Sequence, residues 1–150
     1  MADGAREIEN LLYTYAERLD AGDLGGVADL FAHGRIKPAA DASPDETFDG
    51  RDRVLEMYRS ATRLYQDGTP RTRHITTNSI IEINDEAGTG SARSYYTVMQ
   101  RTESLPLQPI ISGRYHDSFH RIEGSWFFDT RIIFVDLVGD LSQHLLYEFR

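Results

Sequence analysis

The chain has 150 residues, 40% of them hydrophobic and 27% charged, which is enough to bury a core and too apolar for a disordered segment. A formal charge of −8 with a single lysine, Lys37, argues against a nucleic-acid partner, because phosphate binding relies on clustered cations. The lack of cysteine excludes disulfides, thiol catalysis and cysteine-ligated metals, and no apolar run reaches the ~18 residues of a membrane span.

The N-terminal stretch from Met1 to Glu7 lacks the basic-then-apolar layout of a secretory leader, so a cytoplasmic protein is the expectation. Ile8, Leu11, Leu12, Tyr15 and Leu19 then fall at helical spacing and predict an amphipathic first helix. Gly22 is its expected stop. Asp23 is placed to cap a second, short helix carrying Leu24, Val27, Leu30 and Phe31. Residues 32–49 lose all periodicity and read as a long loop with at most one short strand, of the kind that often closes over a pocket. A third helix is expected after Gly50, with Val54, Leu55, Tyr58, Ala61 and Tyr65 on its apolar side, ended by residues 66–70.

From His74 onward the pattern changes to period two. His74, Thr76, Asn78 and Ile80 share one face of the first long strand, and Ile75, Thr77, Ser79, Ile81 and Ile83 share the other. Residues 84–88 predict a hairpin turn into a strand from Gly90 to Arg101, with Ala92, Ser94, Tyr96 and Val98 on one face. A third strand covers about 110–122, and Glu123-Gly124 turns it into a fourth that ends near Leu137. The tail from Gly139 has no clear class. Helices first and antiparallel hairpins afterwards predict an α+β fold, read as one domain over residues 1–150.

The order of these pieces resembles the SnoaL-like branch of the nuclear-transport-factor-2-like superfamily. The resemblance is carried by Tyr15-Ala-Glu-Arg-Leu-Asp-Ala-Gly-Asp23 with Leu30-Phe31, by Gly50, and by Arg73-His-Ile-Thr-Thr-Asn78. It continues in Gly113-Arg-Tyr-His-Asp117 and in Gly124-Ser-Trp126 followed by Arg131. The resemblance implies a cone-shaped α+β barrel, with three N-terminal helices packed on a strongly curved, mostly antiparallel sheet around an apolar pocket. It also implies that Asp20 and His74 meet in that pocket, although periodicity alone puts Asp20 on the flank of its helix stripe.

A histidine oriented by a carboxylate is a general base suited to neutral pH. With His74 and Asp20 as catalytic pair, the expectation is a cofactor-independent lyase or isomerase, such as a dehydratase, dehydrohalogenase or cyclase. Its substrate would be a small apolar cyclic or aromatic molecule. The alternative is a non-catalytic binding or assembly module, like the small subunit of a ring-hydroxylating dioxygenase, with the same pair serving only structure. Against the family pattern, Ser94 falls where the dehydratase has a second catalytic histidine, Tyr115 roughly where it has an asparagine, and Tyr15 where the dehydrochlorinase has a lysine. Arg131 matches that enzyme's late-strand arginine.

Tyr15, Asn78, Tyr96, Tyr115, Trp126 and Arg131 are the candidate substrate-binding residues. The tyrosines and Trp126 have a plainer reading in core packing, Asn78 in satisfying a neighbouring backbone group, and Arg131 in a cross-strand pair with Asp117. No metal is expected: the five histidines are scattered, and His116 and His120 would sit ~13 Å apart along one strand at ~3.3 Å per residue. No phosphate loop, nucleophile elbow or dinucleotide fingerprint occurs, so no cofactor is expected either. A homodimer through the open sheet face is implied by the resemblance, with Ile75, Ile81 and Ile83 as its apolar surface.

Overall fold

The computed structural model describes residues 3–149. Helix α1 spans Gly4–Asp20 and is capped by Asp3, whose carboxylate accepts from the backbone N–H groups of Ala5 and Arg6. Its apolar stripe of Ile8, Leu12, Tyr15 and Leu19 is buried. Gly22 ends the helix in the left-handed region at φ 76°. The Asp23 N–H donates back to the Arg18 carbonyl at 2.9 Å and the Gly22 N–H to that of Leu19 at 3.0 Å, the paired bonds of a Schellman stop. A side chain at Gly22 would meet the Gly68 carbonyl oxygen at 1.9 Å, so this turn packs directly against the chain entering the sheet. Asp23 caps α2, Leu24–Asp29, by accepting from the Gly26 N–H.

Residues 32–49 hold more order than the sequence suggests: strand β1, Arg35–Lys37, a turn of 3-10 helix at Pro44–Glu46, and strand β2, Phe48–Asp49. Helix α3, Arg51–Ala61, stops one turn short of Tyr65, because the C-terminal segment takes up its end. The Leu146 N–H donates to the Ala61 carbonyl and the Arg63 N–H to that of His144, each at 2.9 Å. Four long strands follow: β3, Thr72–Asn84; β4, Thr89–Gln100; β5, Gln108–Ile122; and β6, Ser125–Val138. They lie in the order β2-β1-β6-β5-β4-β3, antiparallel except where β1 runs parallel to β6. The sheet is open, with β2 and β3 at its edges, so the expected barrel does not close. The three helices pack on one face of it.

Strand β3 departs from simple alternation. Asn78 takes a left-handed φ of 57° and the pairing with β4 slips between Thr77 and Ile80. The side chains beyond the bulge change face: Ile81 and Ile83 turn in and pack against the core, while Ile80 turns out. The proposed dimer surface of Ile75, Ile81 and Ile83 is therefore corrected to Ile75 and Ile80.

The core contains an ion pair. Asp117 and Arg131 are cross-strand neighbours in register on β5 and β6. Arg131 donates from Nε at 2.8 Å and from Nη2 at 3.0 Å to the two carboxylate oxygens, and both side chains are fully shielded from solvent. Its guanidinium carbon lies 3.6 Å over the Tyr115 ring, 4.3 Å over Tyr15 and 5.0 Å over Phe128. Burial pushes the Asp117 carboxyl up, opposed by the charge and hydrogen bonds of Arg131. Burial likewise works against the Arg131 charge, but Asp117 outweighs it and keeps the guanidinium protonated. Removing one partner leaves the other charged and buried. Asp117→Ala is expected to cost about 3–5 kcal/mol of stability in urea melts, and a double replacement of Asp117 and Arg131 by leucine and methionine far less.

Candidate functional site

Asp20 is the last residue of α1, where the negative end of the helix dipole disfavours a carboxylate. Three donors on the first turn of β3 offset that cost. Asp20 Oδ2 accepts from the His74 backbone N–H at 2.8 Å, and Oδ1 accepts from Thr72 Oγ1 at 2.9 Å and from His74 Nδ1 at 2.6 Å. The last bond places the proton of a neutral imidazole on Nδ1 and leaves the Nε2 lone pair without a partner among the described residues. The His74 side chain is 6% exposed and that of Asp20 is 13%.

His74 forms part of the wall of a cavity of about 190 Å³ between the helices and the sheet. Engineered apolar cavities of ~150 Å³ bind benzene, so the space suits a small ring compound. The wall is mostly apolar, from Leu19, Met57, Val98, Ile111, Ile133 and Leu141 among others, with Tyr15, Tyr58, Tyr96, Tyr115 and Tyr147 among its polar groups. Tyr15 and Tyr58 hydroxyls bond each other, and the Tyr96 hydroxyl donates to the Phe134 carbonyl at 2.9 Å. Tyr115 stacks on Tyr96 at 4.5 Å between centroids, and its hydroxyl has no hydrogen-bond partner among the described residues. Burial raises the phenols of Tyr58, Tyr96 and Tyr115 well above their ordinary range, with the neighbouring Tyr15 adding to the shift. They therefore stay neutral at physiological pH and can only lend hydrogen bonds.

The expected residues separate into groups. Asp20 and His74 meet; Tyr15, Tyr96 and Tyr115 line the cavity beside His74. Arg131 lies behind Tyr15 and Tyr115, bonded to Asp117, and is not on the cavity wall. Asn78 sits exposed on the bulge and Trp126 is buried beside the β5–β6 turn against Gly4 and Gly90. Neither lines the cavity, and both assignments are corrected. Residues 32–49 also contribute nothing to the wall, so they do not close the pocket.

The tail does. Leu141, His144, Leu145, Tyr147 and Phe149 lie along the cavity, and His144 comes within 6.3 Å of His74, ring centre to ring centre. In the sequence His144 is one of five scattered histidines, and nothing assigns it to the pocket because its segment has no periodicity; its only signal is a lone histidine among Leu141, Leu145 and Leu146. Among the described residues, no group of three or more His, Asp or Glu side chains is placed to hold a metal ion. No helix there is long and apolar enough to cross a membrane.

The SnoaL-like domain pattern matches residues 2–132. The chain belongs to the SnoaL-like family. No curated protein matches it. Among solved structures, this SnoaL-like fold resembles a Nostoc punctiforme protein of unknown function with a cystatin-like fold: TM-score 0.73, 23% identity, 94% of this chain and 97% of that one covered. It also resembles a Novosphingobium aromaticivorans protein that bears the provisional name scytalone dehydratase, with TM-score 0.69, 23% identity and coverage of 97% and 89%. A third likeness is to the beta subunit, provisionally named, of an aromatic-ring-hydroxylating dioxygenase from the same organism. There the TM-score is 0.69, the identity 16% and the coverage 93% and 94%. At these identities the likeness speaks for the fold alone.

Burial, and then electrostatic repulsion from the nearby His74 ring, push the His144 imidazole of the SnoaL-like chain down from 6.5 to about 4, with Asp20 opposing. Between those values the unfolded chain binds the proton and the folded chain does not. Stability therefore falls as pH drops through that window, and the contribution is flat above it. Urea melts at pH ~7 and ~5 are expected to show a smaller loss in His144→Gln than in the unaltered protein.

Proposed function

We propose that this SnoaL-like protein is a cofactor-independent lyase or isomerase acting on a small, apolar, cyclic or aromatic substrate. The observation that carries this reading is an imidazole nitrogen with a free lone pair, backed by a carboxylate, on the wall of an apolar cavity. His74 Nε2 takes a proton from carbon beside an electron-withdrawing group. Asp20 fixes the tautomer and stabilises the imidazolium that forms, and the low polarity of the wall strengthens that attraction. The electron pair left on carbon then expels a leaving group, shifts a double bond or closes a ring. Tyr15, Tyr96 and Tyr115 shape the substrate's seat, and the Tyr115 hydroxyl, without a hydrogen-bond partner among the described residues, is available to a substrate oxygen.

A suitable probe is 5-nitrobenzisoxazole, an apolar fused ring that opens to a coloured nitrophenolate when a base removes its carbon-bound proton. The unaltered protein is expected to open it faster than free imidazole at the same pH, and His74→Ala to lose roughly 100-fold or more. Equal rates in the two proteins would remove His74 from the chemistry.

The outer sheet face exposes Ile75 (41%), Ile80 (53%) and Tyr95 (53%) on the edge strand and its neighbour. We propose that two copies pair there, as exposed apolar side chains on an edge otherwise invite less specific association. Solution scattering is expected to return twice the mass of one chain, and Tyr95→Arg to shift it toward one; a monomer at every concentration tested would refute the pairing. The same face favours the second reading, an assembly module, which requires a larger subunit to co-purify and binding to survive His74→Ala.

A further inference from the structure

The family pattern ends at residue 132, yet the cavity is completed by residues beyond it. The segment after β6 is tied down along its length. The Gly139 N–H donates to the Ile110 carbonyl at 2.7 Å. The Gln143 carbonyl accepts from the buried Gln100 amide at 3.0 Å and from the Tyr65 hydroxyl. The backbone bonds of His144 and Leu146 to the end of α3, with the Thr62–Leu145 bridge between them, continue the anchoring. Such a density of bonds holds the imidazole of His144 in one place rather than leaving it on a loose end.

Its two nitrogens differ. Nδ1 is buried with no partner, whereas Nε2 makes no hydrogen bond and is not sealed from the cavity. An imidazole carries one N–H and one lone pair when neutral. An orphaned N–H is rarer in proteins than an orphaned acceptor, so the proton belongs on Nε2, toward the cavity. The 6.3 Å between the two ring centres, with the planes inclined at 63°, lets one small molecule meet both rings. A carbon-bound hydrogen and an oxygen one or two bonds away could then each be approached at ~3 Å.

We propose that His144 is a second catalytic residue of this site: its neutral Nε2–H hydrogen-bonds the substrate oxygen on which negative charge develops while His74 removes the proton from carbon. This rests on the reading of His74 as base. Burial keeps the imidazole neutral, so it acts as a hydrogen-bond donor and not as a cation, the role a neutral histidine takes in some proton-abstracting enzymes.

With 5-nitrobenzisoxazole the step balances without a further reactant. His74 Nε2 takes the ring C–H proton, the C–H electrons complete a nitrile, and the N–O bond breaks. The departing phenolate oxygen accepts the hydrogen bond from His144. His144→Ala is expected to lower kcat by roughly 100-fold with KM little changed, and His144→Gln, which keeps an N–H donor, to recover part of the loss. Three results would overturn the proposal. If His74→Ala abolishes turnover while His144→Ala keeps kcat, His144 is not catalytic and the base reading stands. If Ala and Gln variants lose activity equally, with KM raised and the thermal midpoint lowered in both, His144 only holds the tail. If the unaltered protein opens the probe no faster than free imidazole, the base reading fails and this one with it.

Discussion

Everything at the site hangs on the Asp20 carboxylate. It stands at the end of α1 where the helix dipole is against it, and it is kept there by three donors from Thr72 and His74. Those bonds do two jobs at once. They staple the helix layer to the edge strand of an open sheet, and they set the tautomer of an imidazole whose remaining nitrogen has no partner among the described residues. A carboxylate serving stability alone would sit better at a helix N-terminus. Its position is understandable if orienting His74 is what it is for.

Around that contact the protein keeps its polar groups occupied. The Arg131–Asp117 pair is satisfied within itself and roofed by aromatic rings, so the strongest charges near the cavity are turned away from it. Tyr15, Tyr58 and Tyr96 have their hydroxyls committed to each other or to backbone. Among the described residues, the polar atoms on the wall without a protein hydrogen bond include one lone pair on His74, the Tyr115 hydroxyl and one nitrogen of His144. In a mostly apolar wall, a few unpaired polar groups fix orientation while the rest of the surface supplies affinity.

The candidate site draws on every layer of the fold. α1 brings Asp20, β3 brings His74, β5 brings Tyr115, and the segment after β6 brings His144. The first three belong to the stretch the SnoaL-like pattern covers, and the fourth does not. A scaffold that positions Asp20 and His74, closed by a segment outside the family pattern, separates the placing of that pair from the choice of what stands beside it.

Local features of the chain could be read directly. The Gly22 stop, the Asp23 cap and the Glu123-Gly124 turn each depend on residues within a few positions, as do the inward faces of α1 and β4. The structure departs from the local pattern where one residue or a distant segment overrides it. Asn78 adopted a left-handed conformation and reversed the facing of Ile80, Ile81 and Ile83, and the tail captured the end of α3 before Tyr65. The sequence by itself determined the three helices and four long strands, their order and, through family likeness, the two residues to watch. Only the tertiary structure decided that Asp20 meets His74, that Arg131 is hidden by Asp117 and two tyrosines, and that His144 enters the cavity. The physical reason is separation: 54 positions lie between Asp20 and His74, and 82 between Arg63 and Leu145, whose carbonyl it holds. Periodicity carries no information over such distances.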